Sequence, residues 1–416
     1  MRVSGDGTHV YVSGTSWGGD PATGGTSDDI ETIAYDPNGH VLWSRRYNGP
    51  GNTADDAVAE AVGPGRVYVT GFSETADHVA EFVTVAYAST GTFLWAKNFD
   101  DPGTAFDAAS GIAVAGNSIV VVGTLGTRRR NLSDETLAYA PDGTLLWSTP
   151  LRVGPNPPFC GYVFLCDPSI AASPGGGRVF VAAQRRDAGF VTAAYRASTG
   201  ASLWIRATET KGWQQSAPAA IAASPNGRRV YVTGTGCTPQ CFADEDVRWE
   251  HYAAITVAYA GRGVKKWTRL IRGDGTQAVG VAVSPDSRTV YVAGNVGAED
   301  TCQCFLAVAY LAADGATRWS NATRAGTAEA LAVGPGDERV FVTGENYVCP
   351  GGHCNFFDRT LSFSTTGQLM WDRSTRTPGA AQAIAVGPAG RQLYVTGSTG
   401  VFSRNEDFLT VAYSTS

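Results

Sequence analysis

The chain has 416 residues, a formal net charge of −6 and 43% hydrophobic residues. That acidic balance gives no reason to expect nucleic acid or an anionic membrane as a partner. No apolar stretch approaches the ~18 residues of a membrane helix, and the length exceeds a typical single core, so the core must be built piecewise.

In chain order, Met1 to Gly7 reads as the end of one short strand and its turn, in the frame of Val281 to Ser287 further on. Val10-Tyr11-Val12 follows, then a long connection from Ser13 to Asp29, then a strand ending at Tyr35. The turn Asp36-Pro37-Asn38-Gly39 leads to a strand carrying Trp43. Short Val-, Ala- and aromatic-rich runs bounded by Gly, Pro or Asp are strand-and-turn signals.

The same unit then recurs. Its second strand returns at Val67, Ile119, Val179, Val230, Val290, Val340 and Leu393, and its third ends at Tyr87, Tyr139, Tyr195, Tyr259, Tyr310, Phe363 and Tyr413. The tryptophan returns as Trp95, Trp147, Trp204, Trp267, Trp319 and Trp371. Four of the six gaps between these tryptophans are 52 residues, and the others are 57 and 63. A period of about 50 residues suits four strands, named a to d, in one supersecondary unit. The expected fold is therefore an all-β, eight-bladed β-propeller over residues 1–416, a single domain whose last blade lacks its outer strand d. That bookkeeping predicts thirty-one strands. A seven-bladed ring, needing twenty-eight, is the alternative. Strand a, the most crowded, carries small residues such as Ala57, Ala59 and Ala61. The seven repeat tryptophans are expected to pack flat between blades.

Alternation places the b–c and d–a connections at one face and the short a–b and c–d turns at the other. The long connections, including Ser13 to Asp29, Thr149 to Asp167 and Gly234 to Ala253, are unlike one another. Such scaffold-held loops are where binding resides. Candidate ligand-binding residues there are Trp17, Trp213, Trp249, Tyr252, Phe356, Phe357, Asp244 and Asp246. Carboxylates collect on the same connections at Asp28, Asp29, Glu31, Asp134 and Glu135, and are expected to be solvated. No segment has the spacing of a calcium loop, so no cofactor is expected, and calcium is the one candidate left open.

All eight cysteines fall on these loops as Cys160/Cys166, Cys237/Cys241, Cys302/Cys304 and Cys349/Cys354. Close pairs in even number read as disulfides of an exported protein, each pinning a loop tip. Cys302/Cys304 needs a sharp turn to close, which leaves a cross-blade partner open. A zinc site drawing on Cys237, Cys241, Cys302, Cys304, Cys349 and Cys354 with His251 or His353 is the sharper reading, without the usual ligand spacing. No HExxH, GxSxG or Ser/His/Asp constellation occurs, so no catalytic residue is assigned.

The run from Asp29 to Trp43, with Tyr47 to Asn52 and Val67-Tyr68-Val69-Thr70-Gly71, resembles the bacterial SBBP-type β-propeller repeat. That resemblance implies an exported bacterial propeller and no particular reaction. Ala197-Ser198-Thr199-Gly200-Ala201-Ser202-Leu203-Trp204 is similar to the tryptophan-docking motif of quinoprotein-like propellers, which are eight-bladed. Their quinone sits over two adjacent cysteines, a pair absent here.

The leading reading is a non-catalytic extracellular or cell-surface binding or scaffold propeller, monomeric, engaging a glycan or a protein through the loop face. Its export signal and missing strand are expected upstream of this sequence. The alternative is an enzyme, either a quinoprotein-like oxidoreductase or a glycan-cleaving propeller using loop carboxylates.

Overall fold

The computed structural model describes residues 1–17, 28–101, 104, 106–127, 130–151, 167–184, 189–208, 215–237, 252–297, 303–336, 339–348, 355–399 and 408–415. Among them all regular structure is β-strand, in thirty strands. The chain divides into two compact units, Met1–Arg186 with Val191–Ile205, and Asp187–Phe190 with Arg206–Ser416.

The first sheet pairs β1 (Arg2–Val3), β2 (Val10–Trp17), β3 (Asp28–Tyr35) and β4 (Val41–Tyr47) in chain order. Next come β5 (Asp55–Gly63), β6 (Arg66–Glu74), β7 (Ala80–Ala88) and β8 (Phe93–Phe99). They are followed by β9 (Phe106–Ala115), β10 (Ser118–Thr127), β11 (Arg130–Tyr139) and β12 (Leu145–Leu151). These two sets join through one parallel bridge, Ala80 to Phe106. A fourth sheet holds β13 (Ser169–Ala172), β14 (Arg178–Gln184), β15 (Phe190–Arg196) and β16 (Ser202–Thr208).

A fifth sheet holds β17 (Gln215–Ala223), β18 (Arg229–Cys237), β19 (Tyr252–Ala260) and β20 (Lys265–Arg272). A sixth holds β21 (Gln277–Val283), β22 (Thr289–Val296), β23 (Cys304–Leu311) and β24 (Thr317–Ala325). The last six strands run β25 (Thr327–Val333), β26 (Arg339–Val348), β27 (Asn355–Ser364), β28 (Leu369–Val386), β29 (Gln392–Thr399) and β30 (Phe408–Ser414). Here thirty continuous strands fill the thirty-one expected strand places among the described residues. β28 is 18 residues long and serves first as an outer strand beside β27, then as an innermost strand beside β29. These four-stranded antiparallel sets, packed face to face within each unit, are β-propeller blades.

Local chemistry explains the repeat. Innermost strands carry a bulge, as between Ala57 and Ala59, between Ala278 and Gly280, and between Ala328 and Ala330. The bulge drives a carbonyl against the next strand: a Cβ on Gly71, Gly294 or Gly344 would collide with the oxygen of Asp56, Gln277 or Thr327. Glycine in the Val-Tyr-Val-x-Gly run is therefore demanded by close backbone approach.

The outer tryptophan explains the rest of the period. Trp43 sits between Tyr11 and Tyr87 with ring centroids 5.9 Å from each. Trp95 sits between Tyr68 and Tyr139 at 5.9 and 5.8 Å, and Trp267 between Tyr231 and Tyr310 at 5.7 and 5.9 Å. In each case one partner comes from strand b of its own blade and the other from strand c of the next. Its indole N–H donates to a carbonyl in the next blade's c–d turn: Trp43 to Ser89, Trp95 to Pro141, Trp147 to Ala197, Trp267 to Ala312 and Trp319 to Thr365, at 2.8 to 3.1 Å. The turn glycine lies on the indole. A Cβ on Gly91, Gly143, Gly200, Gly315 or Gly367 would meet the ring at 2.6 to 2.9 Å, and all five have left-handed φ. One residue thus combines a large apolar face with a satisfied polar edge, which buried tryptophan requires.

Candidate binding face

The antiparallel order puts every b–c connection at one end of its blade. In the first unit Trp17 closes β2 at that end, opposite Asp28 in the β-ladder. Its side chain is 63% exposed, the most exposed large hydrophobic residue described. Around it the chain ends are polar. Arg46 donates from Nη2 to Ser16 Oγ at 2.6 Å and lies 3.9 Å from Asp29 and 3.8 Å from Glu31. Ser44 donates to Glu31 at 2.7 Å, and Thr15 donates to Asp56. Gly49 N donates to Asp55 Oδ2 at 2.6 Å.

The expectation of solvated loop carboxylates is corrected for three of them: Asp29, Asp134 and Glu135 are buried, because β3 and β11 extend further than the polar sequence suggests, while Asp28 is exposed as expected. Asp55, at the start of β5, is buried as well. Burial raises the carboxyls of Asp29, Asp55 and Asp56 above the ordinary range. For Asp29 the Arg46 guanidinium opposes that shift, and for Asp56 the Thr15 hydroxyl does. The exposed indole therefore shares its sheet face with Thr15 and Asp28, while the Arg46 guanidinium with Ser16, Asp29 and Glu31 forms a polar cluster on the other face.

The other expected site residues distribute differently. Tyr252, expected on the ligand-facing loops, is 2% exposed inside β19 opposite Cys237, so strand pairing withdraws it from the binding face. Phe356 and Phe357 are half-buried in β27, opposite Tyr347 and Asn346 of β26. Trp213, Trp249, Asp244 and Asp246 lie outside the described residues. Of the cysteines, Cys237 is buried at the end of β18. Cys304 is half-buried at the start of β23, and its expected partner Cys302 lies outside the described residues. Cys160, Cys166, Cys241, Cys302, Cys349 and Cys354 fall outside the described residues, as do His251 and His353. Among the described residues no three His, Cys, Asp or Glu side chains are grouped to hold a metal ion.

Arg46, Thr15 and Asp56 escaped the sequence reading. The signal for Arg46 was its place three residues after Trp43 on an outer strand, where alternate side chains turn toward the neighbouring strand's Asp29 and Glu31.

Three described clefts open at the opposite, turn-bearing end. One of about 600 Å³ is lined by Asp6, His9, Tyr11 and Arg66, with His9 stacked on Tyr11 at 5.6 Å. One of about 330 Å³ is lined by Arg229, Tyr231 and Ala312, and one of about 370 Å³ by Arg339, Phe341 and Arg391.

No protein-family model matches the chain, and no curated protein matches its sequence. Solved structures match in fold. Sqt1 from Chaetomium thermophilum aligns at 15% identity over 82% of this chain and 79% of its own, with a TM-score of 0.50. The periplasmic gluconolactonase PpgL of Pseudomonas aeruginosa aligns at 15% identity over 83% and 92%, with a TM-score of 0.49. Kuenenia stuttgartiensis hydrazine synthase aligns at 15% over 72% and 78%, with a TM-score of 0.48. The class of protein is a β-propeller, and at this identity the likeness extends to the fold alone.

Proposed function

We propose that this chain is a non-catalytic binding propeller of an exported bacterial protein, engaging a glycan or another protein's surface through its b–c and d–a loop end. The observation that carries this reading is Trp17: a large aromatic face left 63% exposed at the end of β2, on the sheet face it shares with Thr15 and Asp28. Exposed aromatics of this kind anchor both sugar stacking and protein interfaces. The eight b–c hairpins, from β2–β3 to β29–β30, support eight blades, and the disulfide pairs Cys160/Cys166, Cys237/Cys241 and Cys349/Cys354 would pin loop tips at the same end.

A glycan-array screen of the purified chain tests the reading. Binding by the wild type that disappears in Trp17→Ala, with thermal stability kept, supports a carbohydrate site at Trp17. Binding that survives Trp17→Ala places the ligand elsewhere and removes this assignment.

A further inference from the structure

The net charge of −6 hides an uneven distribution at the turn-bearing end. In the fifth and sixth blades, both in the second unit, the short turns 224–229, 260–267, 284–289 and 311–318 carry seven cations against two carboxylates, Asp286 and Asp314. The matching turns of the first three blades carry one, Arg66, against Asp6, Asp36 and Asp142.

Position by position, the fold does not demand these charges. Lys265 and Lys266 open β20 where Val41-Leu42, Phe93-Leu94 and Leu145-Leu146 open β4, β8 and β12. Arg262 stands at the turn tip that Asn38, Thr90 and Asp142 occupy in the first three blades. Arg228 and Arg288 hold the place of Thr8 and Asn117. Arg229 has a structural task that it shares with Arg66, donating to a turn carbonyl of the next blade, Ala312 O for one and Pro141 O for the other. The charged ends of Arg228, Arg262, Lys265 and Lys266 are exposed and make no ion pair or hydrogen bond among the described residues.

Three of the cations converge. The cleft of about 330 Å³ between these two blades is lined by Arg228, Arg229 and Arg288, with Asn226, Ser287 and Leu311. Asn226 N donates to Ser287 Oγ at 3.1 Å, which ties the two a–b turns together. Asp286 offsets part of the charge, but only through a 3.8 Å contact to Arg288 Nε, and the Arg288 side chain stays 84% exposed. A cleft lined by one sign of charge concentrates the potential, and guanidinium forks match the oxygens of sulfate, phosphate and carboxylate groups.

We propose that this cleft binds an anionic polysaccharide. One sulfate, phosphate or carboxylate group sits between Arg228, Arg229 and Arg288, while Arg262, Lys265, Lys266 and Arg318 meet charges further along the polymer. A single small anion would leave those four cations unused, so repeated charge is what the surface fits. Leu311, 38% exposed in the cleft, offers an apolar contact to the C–H face of a sugar ring. The exposed large hydrophobic residues of these turns, Val264 and Leu311, are aliphatic, so the stacking platform used by single-stranded nucleic acid is missing. The site shares no residue with the Trp17 end.

The test uses fluorescein-labelled dextran sulfate, with neutral dextran as the blank, and reads anisotropy on the full chain. Saturable binding is expected at low salt, weakening as chloride rises. Arg228→Thr with Arg288→Asn installs the residues of the first and third blades and is expected to weaken binding about tenfold, the loss of charge-assisted hydrogen bonds. Lys265→Ser with Lys266→Leu, the pair found at Ser202-Leu203, is expected to weaken it about threefold, since exposed charges contribute less. Lys97→Thr with Arg196→Thr removes the same charge from the first unit and, like Trp17→Ala, should leave binding unchanged. Absence of saturable binding overturns the proposal, and so does an equal loss in the Lys97/Arg196 variant or in Trp17→Ala. Displacement of the polymer by inorganic phosphate at matched ionic strength would assign the cleft to a free oxyanion and overturn the polymeric ligand. Tighter binding of polyglutamate or of phosphatidylserine vesicles would overturn it in favour of an acidic peptide or a membrane.

Discussion

At the scale of single residues, the same amino acid carries different weight according to which atoms surround it. Gly315 and Gly39 both have left-handed φ, 76° and 90°, but a Cβ on Gly315 would strike Trp267 while one on Gly39 would meet nothing within 4 Å. Gly39→Val therefore costs backbone strain alone, about 1 kcal/mol. Gly315→Val adds overpacking against the indole and is expected to cost about 3 kcal/mol, both read from denaturant unfolding. Carboxylates divide in the same manner. Glu329, on the innermost strand β25, is raised to about 7, first by surrounding atoms that displace water and second by Glu345, although the residue as a whole is exposed. The folded state keeps this proton where the unfolded chain, with the ordinary value of 4.5, has lost it. Stability should fall as pH rises from about 4.5 to about 7 and level off above. Glu329→Gln should flatten that slope by less than about 1 kcal/mol, because solvent screens an exposed group. Unfolding midpoints at pH 4.5 and 8 for the two proteins check it.

At the scale of elements, the innermost strand and the outer strand do different jobs. The bulge in strand a forces glycine on strand b, and the tryptophan of strand d locks one blade to the next through ring contacts and one hydrogen bond. β30 has the Val and Tyr pattern of any strand c, yet its outer edge lacks the cover that β8 gives β7. Amide protection follows hydrogen bonding and burial, so the amides of Phe408–Ser414 should exchange faster than those of Ala80–Ala88. Mass-spectrometric hydrogen exchange measures this directly, and equal protection would mean that β30 is already covered in solution.

At the scale of the whole molecule, stability is spread over repeats, each leaning on its neighbours, with no central core in either unit. Loop chemistry can then vary while the scaffold persists, and for that reason the fold likeness to Sqt1 carries no activity with it. The cysteines belong to this loop layer. With all four close pairs bridged, chain produced under oxidising export is expected to show no thiols after denaturation, and titration with a thiol reagent decides between none, the two left where Cys302 and Cys304 stay unbridged, and the eight of a reduced chain.

Much of the fold was legible in the sequence because its determinants are local or repeated. Strand alternation, turn glycines and a tryptophan recurring every 52 to 63 residues encode themselves in spacing, and the b–c hairpins and tryptophan stacks lie where that spacing puts them. The candidate site was legible only in part. Trp17 stands exposed as its isolated aromatic character suggested, but Tyr252, of similar character, is buried because the ladder with β18 continues to Cys237. Asp29 and Glu135 look like solvent-facing loop charge until β3 and β11 carry them under their neighbours. Nothing in the local sequence separates Trp371, whose buried indole nitrogen has no hydrogen-bond partner among the described residues, from Trp319, whose nitrogen donates to Thr365. Sequence by itself determined which residues form strands, since that depends on backbone preference and side-chain period. Only the tertiary structure decided which polar groups are buried and which donor lacks its acceptor, because burial is set by residues some fifty positions away.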